Sequence, residues 1–180
     1  DGEAAEDYSV DSISLSADGS IVAIGATSND GNGTSSGHVR IYRNINNTWT
    51  QVGSDIDGEG AYINSGSEIS LSSDGSIVAI GAVNSSDGNG SASGHVRIYK
   101  NVNNTWTQVG GDIDGEAAQE YSGYSVSLSS DGSIVAISAP YNTGNGNGNG
   151  QVRIYKNINN NWVKVGGDID GEAAGDNSGH

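Results

Sequence analysis

The chain repeats itself. Trp49, Trp106 and Trp162 are separated by 57 and 56 residues, and Leu15, Leu71 and Leu128 by 56 and 57. Around them ISLSADGSIVAIGA, ISLSSDGSIVAIGA and VSLSSDGSIVAISA recur, followed by HVRIYRNINNTW, HVRIYKNVNNTW and QVRIYKNINNNW. A further element, DIDGE, begins at Asp55, Asp112 and Asp168. Tandem units cannot bury their apolar faces alone, so neighbouring units must stack to make a core. The units run 1–56, 57–113 and 114–169, and 170–180 opens a further one.

Each unit carries four strand signals. Ile13-Ser14-Leu15-Ser16 alternates apolar and small polar residues, as a strand with one buried face does. Ile21 to Ala26 is apolar on both faces and belongs in the middle of a packed stack. Val39-Arg40-Ile41-Tyr42-Arg43 alternates again and is rich in β-branched and aromatic residues. Trp49-Thr50-Gln51-Val52 reads as an outer strand with one anchoring aromatic. Nothing has helical period, and the Gly and Asn density opposes helices.

The connections give the topology. Asp18-Gly19, repeated at Asp74-Gly75 and Asp131-Gly132, is the signal of a type I′ hairpin between the first two strands. Asn46-Asn47 links the third and fourth strands, and Asn tolerates the left-handed backbone such a turn needs. Both tight turns fall at one end of an antiparallel meander. The long connections, 27–37 and 57–66, fall at the other. The expected fold is therefore all-β: three tandem four-stranded antiparallel blades of a β-propeller. A linear β-solenoid is the alternative, but its coils repeat at much shorter intervals.

Tyr124 to Pro140 (YSVSLSSDGSIVAISAP), then Gly150 to Asn157 (GQVRIYKN), then Trp162, resemble the FG-GAP repeat of integrin α-subunits and many secreted proteins. The likeness covers all three units. It implies an extracellular or cell-surface propeller whose ligands bind on the long-loop face. FG-GAP blades often hold Ca²⁺ between their first two strands, but here that loop has collapsed around Asp18-Gly19, and one carboxylate cannot supply the oxygens calcium takes.

Three blades fall short of the 4–8 that usually close a propeller. The expectation is a window of a longer array, with a three-blade subunit that pairs into a six-bladed ring as its rival. No secretory signal opens the chain, which fits a mature, internal or trimmed piece.

Charge and composition narrow the partners. Acidic residues outnumber basic ones 22 to 7, for a net charge of -15, which excludes a phosphate-rich nucleic-acid partner. The absence of cysteine excludes disulfides, thiolate zinc and a cysteine nucleophile. No apolar run is long enough for a membrane span. The remaining partners are protein or glycan ligands on the long-loop face and neighbouring blades or subunits of the same protein.

The repeated carboxylates are the candidate metal ligands, with Ca²⁺ as the candidate cofactor: Asp55, Asp57 and Glu59, then Asp112, Asp114 and Glu116, then Asp168, Asp170 and Glu172. In an extended segment alternate side chains share a face, so each triplet has the spacing to meet one cation. A solvated acidic turn explains the same residues. The loops at 28–33, 86–90 and 145–150 offer oxygen ligands for a cation or sugar, though flexible-linker composition accounts for them equally. Sequons stand at Asn32, Asn46, Asn84, Asn89 and Asn103, all in expected loops or hairpin tips. The three tryptophans suit outer-strand packing better than sugar stacking. Arg40, Arg97 and Arg153 are placed to offset nearby carboxylates.

Catalysis has little support in the motifs. His38 and His95 are repeat equivalents but the third unit has Gln151, and no nucleophile elbow, phosphate loop or zinc helix appears. The units look alike, whereas a reaction centre breaks symmetry. The expected function is thus a non-catalytic extracellular scaffold, adhesive or structural, rather than an enzyme. The alternatives are a lectin-like glycan-binding propeller and the propeller portion of a larger secreted hydrolase.

Overall fold

The computed structural model describes residues 10–86, 89–143 and 148–180. The opening Asp1-Gly2-Glu3 and the loop portions 87–88 and 145–147 considered above lie outside the described residues.

Each repeat folds into one antiparallel sheet. The first contains β1 (Ser12–Leu15), β2 (Ile21–Ala26), β3 (His38–Ile45), β4 (Thr48–Gln51) and β5 (Ile56–Asp57). The second contains β6 (Glu68–Leu71), β7 (Ile77–Ala82), β8 (His95–Val102), β9 (Thr105–Gln108) and β10 (Ile113–Asp114). The third contains β11 (Val126–Leu128), β12 (Ile134–Ala139), β13 (Gln151–Ile158), β14 (Asn161–Lys164) and β15 (Ile169–Asp170). Strand order follows the chain, β1-β2-β3-β4, with β5 also pairing β3.

The fourth position is split. β4 covers the far half of β3, from Tyr42 to Ile45, and β5 covers His38 and Val39. Between them the strand bulges at Gly53, whose φ of 75° suits glycine. Asp57, expected to open the acidic connection 57–66, is therefore a strand residue together with Ile56.

The core lies between sheets. Ile21, Ala23, Val39 and Ile41 of the first blade pack against Ile69, Leu71, Val78 and Ile80 of the second. Ala79, Val96 and Ile98 meet Val126, Val135 and Ile137 in the same way at the next junction. The inner strands abut: Leu71 N–H donates to Ser14 Oγ and Leu128 N–H to Ser70 Oγ, both at 3.0 Å. On the outer side the indole Nε1 of Trp106 donates to Val52 O, and that of Trp162 to Val109 O, each at 2.7 Å. These two tryptophans are junction latches.

Of the hairpin turns, Asn46-Asn47 is the left-handed turn the sequence implies, and Asp18-Gly19 differs. Asn46 and Asn47 have φ of 52° and 64° and join paired Ile45 and Thr48, so they form the type I′ turn. At Asp18-Gly19 only Gly19 is left-handed, with φ of 70°. Ser16 N–H donates to Ile21 O, and Gly19 N–H to Ser16 O, which makes this a longer loop closed at Ser16.

Candidate functional site at the loop end

The segment after each fifth strand passes over the loop end of its own blade and enters the next. Gly58 N–H donates to Gly37 O at 2.8 Å, and Gly37 bridges to Ser65. The 27–37 loop, expected to be loose, is tied into this layer. Asn29 is buried, its side-chain oxygen accepts Gly31 N–H at 2.9 Å, and Asn32 Nδ2 donates to Gly58 O at 2.8 Å. Its polar side chains take the place of a hydrophobic anchor.

The carboxylate triplets are divided across the junctions. Asp55 receives Arg40 Nε at 3.0 Å within its own blade. Glu59 instead reaches Arg97 of the next blade at 3.2 Å, while Arg97 Nη2 donates to Asp57 O at 3.1 Å. Arg153 repeats the arrangement with Glu116 at 3.5 Å. Lys164 pairs with Glu116 at 3.1 Å and also with Asp168. Among the described residues, two groups place ligand atoms within 4.8 Å of one another: His38 with Asp55 and Asp57, and Glu59 with His95 and Asp112. Either group could hold a metal ion. Asp114 and Asp170 lie in the short strands β10 and β15, and Glu172 is exposed on the last blade. The histidines enter these groups because His38 opens β3 opposite Asp57.

Of the sequons, Asn46 and Asn103 stand exposed in type I′ turns. Asn32 and Asn89 direct their amide nitrogens onto Gly58 O and Gly115 O. Asn84 donates to Asn64 Oδ1 at 2.6 Å.

The repeats diverge at this end. Glu68 stands first in β6, where the first blade has Ser12 and the third has Ser125 just ahead of β11. It is half-buried, and burial alone pushes its carboxyl up, with no hydrogen bond or charge among the described residues pulling it back. It faces Gly81 in the sheet, and a Cβ on Gly81 would lie 3.5 Å from that of Glu68 and against Gly123 O. Tyr124 follows Gly123. Its hydroxyl lies 3.0 Å from His180 Nε2, and Tyr141 packs edge-on against Tyr121 and Tyr124 at centroid distances of 5.4 and 6.5 Å. Tyr121 and Tyr141 replace Asn64 and Asn84 of the preceding junction.

Glu120 is the second departure, standing where the preceding junction has Ile63. It is fully buried, pairs with Arg153 Nη2, and accepts Asn142 Nδ2 and Glu116 N–H, both at 2.6 Å. Comparing the repeats column by column exposes Glu68, Glu120 and the tyrosines; comparing them for likeness conceals them.

No family model matches the chain, and no curated protein sequence matches it. Among solved structures it resembles a Bacteroides uniformis protein assigned as a 6-phosphogluconolactonase. The TM-score is 0.57 at 16% identity, over 91% of this chain and 41% of that one. It also resembles hydrazine synthase of Kuenenia stuttgartiensis, with a TM-score of 0.56 at 12% identity, over 97% of this chain and 41% of that one. The chain thus spans less than half of either. Likeness at these identities shows the fold.

Two expectations are corrected. The non-catalytic scaffold, and with it the absence of enzyme activity, does not stand, because a protein bearing an enzyme's name has this blade arrangement over 91% of the chain. The physical ground for those expectations, that the units look alike, also fails at Glu68, Glu120 and Tyr124.

Proposed function

We propose that the chain is the propeller portion of a hydrolase that opens a neutral sugar lactone at the loop-end mouth of the inner strands. Glu68 carries this reading: a half-buried carboxyl, pushed up by burial, where the repeats diverge. Such a group can accept and donate a proton in one cycle. Water attacks the lactone carbonyl carbon, Glu68 takes the proton that water loses, and the ring C–O bond breaks. Glu68 then returns the proton to the departing ring oxygen, leaving a hydroxy acid. The lactonase name of the solved structure supports the reaction class. A neutral lactone fits better than a phosphorylated one, since Arg97 and Arg153 are already paired with Glu59, Glu116 and Glu120.

The test is gluconolactone hydrolysis followed by proton release. The expected result is turnover above the spontaneous rate, lowered about 100-fold by Glu68→Gln. A rate equal to the buffer blank sinks the reading. In a second reading, favoured by the Tyr121, Tyr124 and Tyr141 cluster, this mouth binds glycans without cleaving them. Glycan binding lost on Tyr124→Ala, with no lactone turnover, would select it.

For the two histidine–carboxylate groups we propose a divalent cation. Calcium takes oxygen ligands, so the imidazoles favour zinc. Such an ion competes with Arg40 and Arg97 for Asp55 and Glu59. A chelator should lower the melting temperature by a few degrees and added metal should restore it; identical melts refute the site. The FG-GAP relationship and an extracellular setting are proposed on the repeat residues alone. A mass loss on deglycosylation of the natural protein, mapped to Asn46 or Asn103, is the check.

A further inference from the structure

We propose that the groove between the second and third blades, at the hairpin end and away from the loop-end mouth, is a second binding site that takes one ring of a neutral sugar. The groove has a volume of about 310 Å³, within the range of small-molecule sites. Ile77, Ile98 and Val109 of the second blade give it an apolar floor, and half-buried Trp162 of the third borders it. Two junction contacts hold its walls in place. A Cβ on Gly132 would lie 2.6 Å from Ile77 Cδ1, and Trp162 Nε1 donates to Val109 O at 2.7 Å. The indole thus fastens the junction through its edge nitrogen, and its ring serves as a wall of the groove.

The polar groups of the groove have capacity to spare. From the second blade Lys100 is exposed and makes no ion pair among the described residues, unlike Arg97, Arg153 and Lys164. From the third, Asn157 Oδ1 accepts the Asn160 N–H at 3.1 Å, which leaves Nδ2 as a donor. The equivalent Asn101 accepts the Asn104 N–H in the same way, and its Nδ2 is buried with no partner among the described residues. The blades therefore build this amide donor without using it. Asp131 supplies an acceptor on the same side: its Oδ1 holds the Ser133 N–H and the Ser129 and Ser133 hydroxyls, whereas Oδ2 takes the Ser133 hydroxyl at 2.9 Å.

A cation, an amide donor and a carboxylate lining one groove select the class of ligand. An anion would gain Lys100 but meet Asp131 and the field of a chain with net charge -15. A cation would gain Asp131 but meet Lys100. A hydroxyl offers one donor and two lone pairs, so neighbouring hydroxyls of one ring can accept from Lys100 and Asn157 and donate to Asp131 Oδ2. A sugar ring also has a face of C–H groups, which packs on an indole. This site is independent of Glu68 and of the lactonase reading.

The test is titration of the 180-residue chain with the methyl glycosides of glucose, galactose, mannose and N-acetylglucosamine, followed by the indole N–H resonance of Trp162. The expected result is saturable binding of one or more of them with a Kd of about 1 mM. Lys100→Met should weaken it about 10-fold at an unchanged melting temperature. Asn157→Asp should do the same, since it keeps the acceptor for the Asn160 N–H and removes the donor. Tyr124→Ala should leave the affinity as it is, which separates this groove from the loop-end mouth. An oligosaccharide that binds as well as its methyl glycoside points to a glycan chain as the source of the ring, and its exclusion to a free sugar; either supports the site. No shift with any of the glycosides, tighter binding of glucuronate or glycine betaine than of all of them, or binding indifferent to both Lys100→Met and Asn157→Asp would each overturn the proposal.

Discussion

At the scale of the residue, the buried Glu120 shows how one substitution re-engineers a junction. The preceding junction fills this place with Ile63, and its Arg97 relies on Glu59 and the Asp57 carbonyl. In the next, Arg153 is fully buried and Glu120 answers it. Removing one partner of a buried pair strands the other charge, so Glu120→Ala is expected to cost about 3 kcal/mol in urea unfolding. A cost close to zero would mean that Glu116 alone satisfies Arg153. The Asn turns give a second expectation. Asn46 and Asn47 hold left-handed backbone, so Asn46→Ala should destabilise by about 1 kcal/mol and Asn46→Gly should not. Thermal melts of the two variants separate them; equal melts would refute the turn. Asn46-Asn47 was legible as a left-handed turn because Asn is one of the few residues that accepts it. Glu120 was not, since a lone carboxylate in a loop reads as solvated until its partner, 33 residues on, is folded beside it.

At the scale of the element, alternation and β-branching placed the inner, second and third strands, and the structure differs where loop length decides. Asp-Gly implies a type I′ turn when two residues separate paired strands. Here four residues, 17–20, separate the hydrogen-bonded Ser16 and Ile21, and the Asp serves another purpose. Asp18 Oδ1 accepts Ser20 N–H at 2.9 Å and the Ser16 and Ser20 hydroxyls at 2.8 Å. The Ser20 amide, then these hydroxyls, pull its carboxyl down to about 2, and the Ser133 amide does the same to Asp131. Asp74 is lowered through Ser76. A folded pKa below the unfolded value stabilises above the unfolded pKa and loses that contribution as pH falls through the folded one. Acid should therefore erode stability between the ordinary aspartate value of 3.8 and about 2. Replacing all three aspartates by asparagine should flatten the melting temperature across that window. An unchanged slope would place the acid sensitivity elsewhere.

At the scale of the whole molecule, the apolar core belongs to the junctions, so stability is expected to come from pairs of blades and not from single ones. This much was legible, because near-identical units that each offer an apolar sheet have only one another to pack against. The loop-end site was hidden by the same regularity, since Glu68 and the tyrosines are minor departures from a strong pattern. A chain without residues 57–113 would join Ile56 to Asp114 and regenerate the sequence Ile-Asp-Gly-Glu. It should fold into two blades with one hybrid junction, Trp162 seating on the carbonyl of Val52, checked by cooperative urea unfolding and by the fluorescence of Trp162. Loss of cooperativity would mean that a blade depends on more than its immediate neighbour. Because both junctions are built on the same strand positions, length can change in whole-blade steps while the apolar core contacts are preserved. Changes of any other size are confined to the loops, as the spacings of 56 and 57 residues show. Recombination between near-identical stretches of the coding sequence supplies such whole steps, so blade number is the property of this architecture most open to rapid evolutionary change.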